Sequence, residues 1–208
     1  MFFRKSKKDV TGILHSAAGA AEFLIVGLGN PGKQYEYTRH NVGFLAIDRL
    51  ASQCDISVNR LRFKALTGSG EIAGKKVLLL KPQTFMNNSG ESVREAMQFY
   101  KIPPERTIVV YDDITLDVGR LRIRKKGSDG GQKGMRSIIY LTGSDNYPRV
   151  RVGIGAKPHP DYDLADWVLS HFPKSDGDKL ETALTNACDA VTLLLAGDID
   201  AAMNRYNA

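Results

Sequence analysis

Short apolar runs rich in β-branched residues recur along the chain, each bounded by glycine, proline or polar clusters. They predict strands at Phe23–Leu28, Phe63–Ile72, Lys76–Lys81, Thr107–Tyr111, Arg120–Arg124 and Val150–Ile154. Between the second and third, "AGKK" reads as a hairpin turn. Other stretches space their apolar residues for one face of a helix. Val42–Gln53 aligns Phe44, Ile47 and Ala51; Ser89–Tyr100 aligns Val93, Met97 and Tyr100 and stops at "KIPPE". Lys133–Leu141, Leu164–Ser170, Asp178–Ala196 and Ile199–Tyr206 complete the predicted helices. Strands alternating with helices predict an α/β domain, and the hairpin makes its twisted sheet mixed, though mostly parallel, with helices flanking it.

Composition narrows the setting. A chain of 208 residues, 42% hydrophobic and 25% charged, fits one domain with a real core, expected over 23–208. No run approaches the about 18 apolar residues of a membrane helix, so a soluble protein without a membrane partner is expected. Cys54 and Cys188 lack metal-type spacing and read as reduced thiols of a cytoplasmic protein. Residues 1–22 open with the basic "MFFRKSKKDV" and lack the apolar core of a secretory signal, which leaves a flexible extension.

Charge adds a direction. The formal net charge is +6, yet Arg120 to Lys157 holds ten basic residues against Asp129 and Asp145, while the tail from Asp176 is acidic. Such asymmetry suits a polyanion, although a merely basic surface fits equally well.

The candidate chemistry starts in "FLIVGLGNPGKQYEYTRHNVGF", Phe23 to Phe44. Gly27, Gly29 and Gly32 spell G-x-G-x-x-G after a strand, the lettering of a dinucleotide loop. The context fails. Pro31 precedes the third glycine, nine mostly polar residues delay the helix, and the acidic residue required further on could only be Asp48, inside that helix. A tight loop presenting side chains fits better: Gly29 and Gly32 allow unusual backbone angles, Pro31 stiffens the turn, and Asn30 sits at the carboxyl end of a strand. His40 falls just ahead of the helix start. The field there disfavours added positive charge, so an imidazole so placed stays able to accept a proton. Alone, His40 reads as readily as a structural or capping histidine.

These residues carry a resemblance. "GLGNPGKQYEYTRHNVG" is similar to the signature of bacterial-type peptidyl-tRNA hydrolases. "KPQTFMNNSG", "IVVYDDITLDVGRLRIR", "GSDGGQKGMRSI" and "YPRVRVGIG" follow in that family's order and spacing, from about Phe23 to the C-terminus. The resemblance implies a monomeric α/β fold of the peptidyl-tRNA hydrolase type, needing no organic cofactor. The implied reaction is cleavage of the ester between a peptide and the terminal ribose of tRNA, which recycles tRNA from dropped-off peptides. It implies His40 as base, Asp112 as its carboxylate partner, Asn30 and Asn87 as substrate-positioning amides, and Tyr35 and Phe85 as cleft lining.

The residue types suit that reaction. An ester of a ribose hydroxyl needs a positioned water, a base and donors for the developing oxyanion. Asp112 can take the second ring N–H of His40, fixing its tautomer. Residue chemistry alone leaves Asp112 and Asp113 open as a turn or cap pair, and Asn87 open as a helix N-cap. No G-x-S-x-G elbow marks a nucleophile. His15, His40, His159 and His171 show no zinc spacing, so no metal is expected. Arg122 and Arg124 share one face of a strand, and with Arg151 they are candidates for tRNA phosphates; a solvated basic face is the plainer alternative. One motif departs from the family: where G-G-H-N-G is usual, this chain has "GGQKG", with Gln132 and Lys133. Lys133, a candidate substrate contact, gains a cation and loses an amide acceptor. That change motivates a second expectation, an RNA-binding protein on the same fold that no longer hydrolyses.

Overall fold

The computed structural model describes residues 20–207; most of the expected N-terminal extension therefore lies outside the described residues. The strands are β1 (Phe23–Gly27), β2 (Arg60–Arg62), β3 (Ala65–Ile72), β4 (Lys75–Pro82), β5 (Thr107–Asp113), β6 (Leu121–Arg124) and β7 (Arg149–Gly153). They form one sheet in the order β2-β3-β4-β1-β5-β7-β6. The central strands β4, β1, β5 and β7 run parallel. β3 and β6 pair antiparallel to them, and β2 antiparallel to β3. The mixed α/β architecture expected from the pattern is the one observed.

The helices are α1 (Val42–Gln53), α2 (Ser89–Tyr100), α3 (Lys133–Thr142), α4 (Leu164–Leu169), α5 (Gly177–Ala196) and α6 (Ile199–Tyr206). Alternation along each strand divides the core in two. Ile25, Ile108 and Val110 face α1, α5 and α6, burying Ile47, Val191 and Ala202. Leu24, Val26 and Val109 face α2 and α3, burying Val93, Met97 and Ile138. None of the described helices is long and apolar enough to cross a membrane. Burial pushes the Cys188 thiol up to about 12 and also raises Cys54; both are free.

Three strands differ from expectation by more than one residue at an end. The strand expected from Phe63 starts at Ala65, because Phe63 and Lys64 both have positive φ (55° and 52°) and form the two-residue turn joining β2 to β3. β2 itself was not predicted: all three of its residues are exposed on the sheet edge, so no alternation marks them. β5 runs two residues past Tyr111, so Asp112 and Asp113 are buried strand residues; Asp112 is neither a turn nor a cap residue, whereas Asp113 also opens the turn after β5, accepting the Thr115 amide. The Ala73–Gly74 hairpin turn stands as expected, with Ile72 opposite Lys75.

The glycine loop has a packing reason. A Cβ on Gly27 would lie 2.2 Å from the Gly43 carbonyl oxygen, and one on Gly43 would lie 2.4 Å from the Val110 oxygen. Only hydrogen at both positions lets α1 seat against β1 and β5, which brings the turn ahead of α1 to the sheet's carboxyl edge. Gly32 has the positive φ expected of it (114°), whereas Gly29 makes room for the Phe44 ring instead. Gly43→Ala is expected to destabilise the fold by at least about 2 kcal/mol, since backbone must move to admit the methyl. An unchanged urea midpoint would contradict this packing.

Candidate active site

The carboxyl ends of β1 and β5 open into a cavity of about 630 Å³. His40 lies in a short 3₁₀ turn, Arg39–Asn41, that leads directly into α1. Its Nδ1 is 2.8 Å from Asp112 Oδ2, and both residues line the cavity. A carboxylate only accepts, so Nδ1–H donates and Nε2 is left unprotonated on the neutral ring. Asn41, not His40, occupies the N-cap position of α1, and its side chain does not cap.

Asn41 instead holds the glycine loop. Its Oδ1 accepts from the Asn30 amide at 2.8 Å, and its Nδ2 donates to the Asn30 carbonyl at 2.9 Å. Asn30 Oδ1 in turn accepts from the Met86 amide at 2.8 Å. With its oxygen occupied, Asn30 offers its NH₂ to the cavity it lines. Sequence reasoning passed over Asn41, although it sits inside the quoted "TRHN"; a polar residue about to be buried at a helix start was the available signal.

Phe85 and Asn87 come from the segment before α2. Phe85 has φ 60° and ψ 158°, a conformation that strains any residue with a Cβ. The residue is 52% exposed, and its ring stands edge-on to Tyr35 at 6.4 Å. The two rings and Asn87 line one wall. Asn87 is not a cap: it lies within the turn Met86–Asn88, and Asn88 takes the N-cap position of α2 without a side-chain bond.

The opposite wall begins at α3. Gln132 is its N-cap, and Lys133, its first residue, is exposed at the cavity. Gln132 Oε1 accepts from the Met135 amide at 2.7 Å, while Nε2 donates to Asp112 Oδ1 at 3.0 Å. Asp129, at the rim, is held low: its partial burial works the other way, but the Gly131 amide and Arg136 outweigh it. Burial pushes the Tyr111 phenol up against the lowering pull of Arg149 and Arg151.

Asp112 and Asp113 are adjacent in one strand and so point to opposite faces. Asp113 pairs with Arg151 at 2.7 Å, and its Oδ1 accepts from the Thr115 amide and hydroxyl. Arg151 lines the cavity and stands opposite Arg122 in the β6–β7 register, which places Arg122, and Arg124 two residues on, on the same face toward the sheet edge. Arg149, on that face too, is buried on the carbonyls of Tyr147, Ser128 and Asp145 and serves structure. Arg39, next to His40, is also buried. It stacks 3.8 Å over Trp167 and donates to Ser170 Oγ at 2.7 Å, tying α4 to the His40 turn. Among the described residues no cluster of three or more His, Cys, Asp or Glu is placed to hold a metal.

The sequence comparisons agree on one family. A family model described as peptidyl-tRNA hydrolase matches residues 24–208. Peptidyl-tRNA hydrolase of Agathobacter rectalis is 56% identical over 186 residues, covering 89% of this chain and all of the relative. That of Caldicellulosiruptor bescii is 53% identical, covering 89% of this chain and 97% of the relative. The crystal structure of peptidyl-tRNA hydrolase from Acinetobacter baumannii superposes with a TM-score of 0.84 at 36% identity, covering 91% of this chain and 97% of that one.

Asn41→Ala is expected to cost about 2 kcal/mol, because it strands a buried amide of Asn30. Asn41→Asp keeps the acceptor but buries a charge and sets an oxygen against the Asn30 carbonyl, so it should not restore stability. Equal urea midpoints for wild type and Asn41→Ala would contradict the anchoring role.

Proposed function

The chain belongs to the peptidyl-tRNA hydrolase family, and on that footing we propose how its cleft hydrolyses the ester joining peptide to tRNA. The observation that carries the reading is the 2.8 Å contact between His40 Nδ1 and Asp112 Oδ2 at the floor of the cavity. With Nδ1–H donated to Asp112, His40 Nε2 takes a proton from a water as its oxygen attacks the ester carbonyl. The Asn30 NH₂, its oxygen already occupied by the Met86 amide, donates to the carbonyl oxygen as charge develops there. The imidazolium then returns its proton to the departing ribose oxygen, so the ring ends neutral. Asp112 holds the ring in one tautomer through both steps.

Asn87 pairs with the peptide's backbone amide groups, which every peptide carries, while Tyr35 and Phe85 give an apolar wall to its side chains. Lys133 brings a cation to the substrate where the family usually has an asparagine. Arg151, at the inner end of the basic face, and Arg122 and Arg124 beyond it receive backbone phosphates of the tRNA. One chain supplies every cleft residue named, which suits a monomer, and the substrate places the work in the cytoplasm. The basic residues among 1–22 add nonspecific attraction to RNA.

Release of tRNA from N-acetyl-aminoacyl-tRNA tests the reading. His40→Ala should lower kcat by about 10²- to 10⁴-fold, the range of a general base, with tRNA affinity held. Turnover unaffected by that change would contradict the mechanism, and tight binding without wild-type turnover would favour a pure RNA binder. Arg124→Ala should weaken tRNA binding and reduce the slope of log affinity against log salt by about one. An unchanged slope would remove Arg124 from the phosphate path.

A further inference from the structure

We infer that Gln132 is a positioning residue for hydrolysis: it fixes the Asp112 carboxylate and, through it, the His40 ring. The inference rests on the reading of the cleft given above. Gln132 is 8% exposed, and both ends of its amide are committed. Oε1 accepts from the Met135 amide at 2.7 Å; Nε2 donates to Asp112 Oδ1 at 3.0 Å and touches Met86 Sδ at 3.0 Å. Reversing the amide would set its oxygen against the carboxylate and its NH₂ against a backbone N–H. Only one orientation satisfies both neighbours.

The consequence falls on Asp112. A carboxyl torsion is broad and nearly two-fold, so a carboxylate held by His40 alone can swing and carry the ring with it. Two donors from separate elements, the turn before α1 and the first turn of α3, define the carboxylate plane. Gln132 also touches Met86, whose amide orients Asn30. One side chain therefore couples the base to the amide that faces the developing oxyanion. The family usually has histidine here. A glutamine gives the same carboxylate an N–H from a group that carries no charge at any working pH.

Gln132 is also the N-cap of α3, so the test must separate capping from positioning. Gln132→Glu keeps an oxygen for Met135 and removes the donor to Asp112. Gln132→Ser caps a helix well but is too short to reach Asp112. Gln132→His returns an N–H. The full-length variants are compared in kcat and KM with N-acetyl-aminoacyl-tRNA, and in urea unfolding. Both Glu and Ser variants should lose about tenfold or more in kcat with KM within about twofold, as expected when a reacting group is slightly misplaced. The His variant should recover to within about threefold of wild type. Wild-type kcat in the Ser or Glu variant, while His40→Ala is inactive, overturns this inference alone. Loss of kcat in all three, tracking loss of stability, also overturns it, since Gln132 would then be a cap only. Wild-type turnover in His40→Ala overturns the reading of the cleft, and this inference with it.

Discussion

A carboxylate buried at the end of a strand needs a donor for each oxygen, and Asp112 finds its two on opposite sides of the sheet. Oδ2 takes the His40 ring from the turn ahead of α1, and Oδ1 takes the Gln132 amide from the start of α3. Leaving either oxygen bare would cost about 1–3 kcal/mol or more. The carboxylate therefore welds together two elements that belong to separate halves of the core. The cleft is the gap between them, and the carboxylate holds its walls in place.

The other supports serve that gap. Gly27 and Gly43 let α1 approach the sheet closely enough to deliver His40. Asn41 pins the Asn30 backbone, and the Met86 amide occupies the Asn30 side-chain oxygen, leaving its NH₂ for the cavity. Strand alternation then separates two tasks that sequence places side by side. Asp112 turns to the histidine; Asp113 turns to Arg151, from which the basic face of β6 leads outward. The ring pair and the guanidinium pair thus leave opposite faces of one strand end, while all four residues line the same cavity.

Much of this was legible in the chain. Apolar, β-branched runs marked the central strands, which are buried on both faces, and helical spacing marked the helices, which bury one. The failure of the dinucleotide fingerprint in context left a loop holding Asn30, and the family's motifs singled out His40 and Asp112, which lie in contact at 2.8 Å. β2 left no mark, since an exposed edge strand buries nothing. Which aspartate meets His40 could not be read from residue chemistry alone, because the answer depends on where β5 ends and how it alternates. Gln132 stood out only as a departure from the family motif and Asn41 only as a polar residue at a helix start; the bonds they make, like the packing of Arg39 on Trp167, join residues apart in sequence, and a single chain read in order does not show such pairs.

The proposed chemistry requires His40 to keep its proton on Nδ1, toward Asp112, and to leave Nε2 free as base. Nitrogen NMR of protein with ¹⁵N-labelled histidine reads this directly on the neutral ring. A pyrrole-type Nδ1 and a pyridine-type Nε2 are expected for His40, with that preference lost in Asp112→Ala. A His40 ring carrying its proton on Nε2 in the wild-type protein would contradict it.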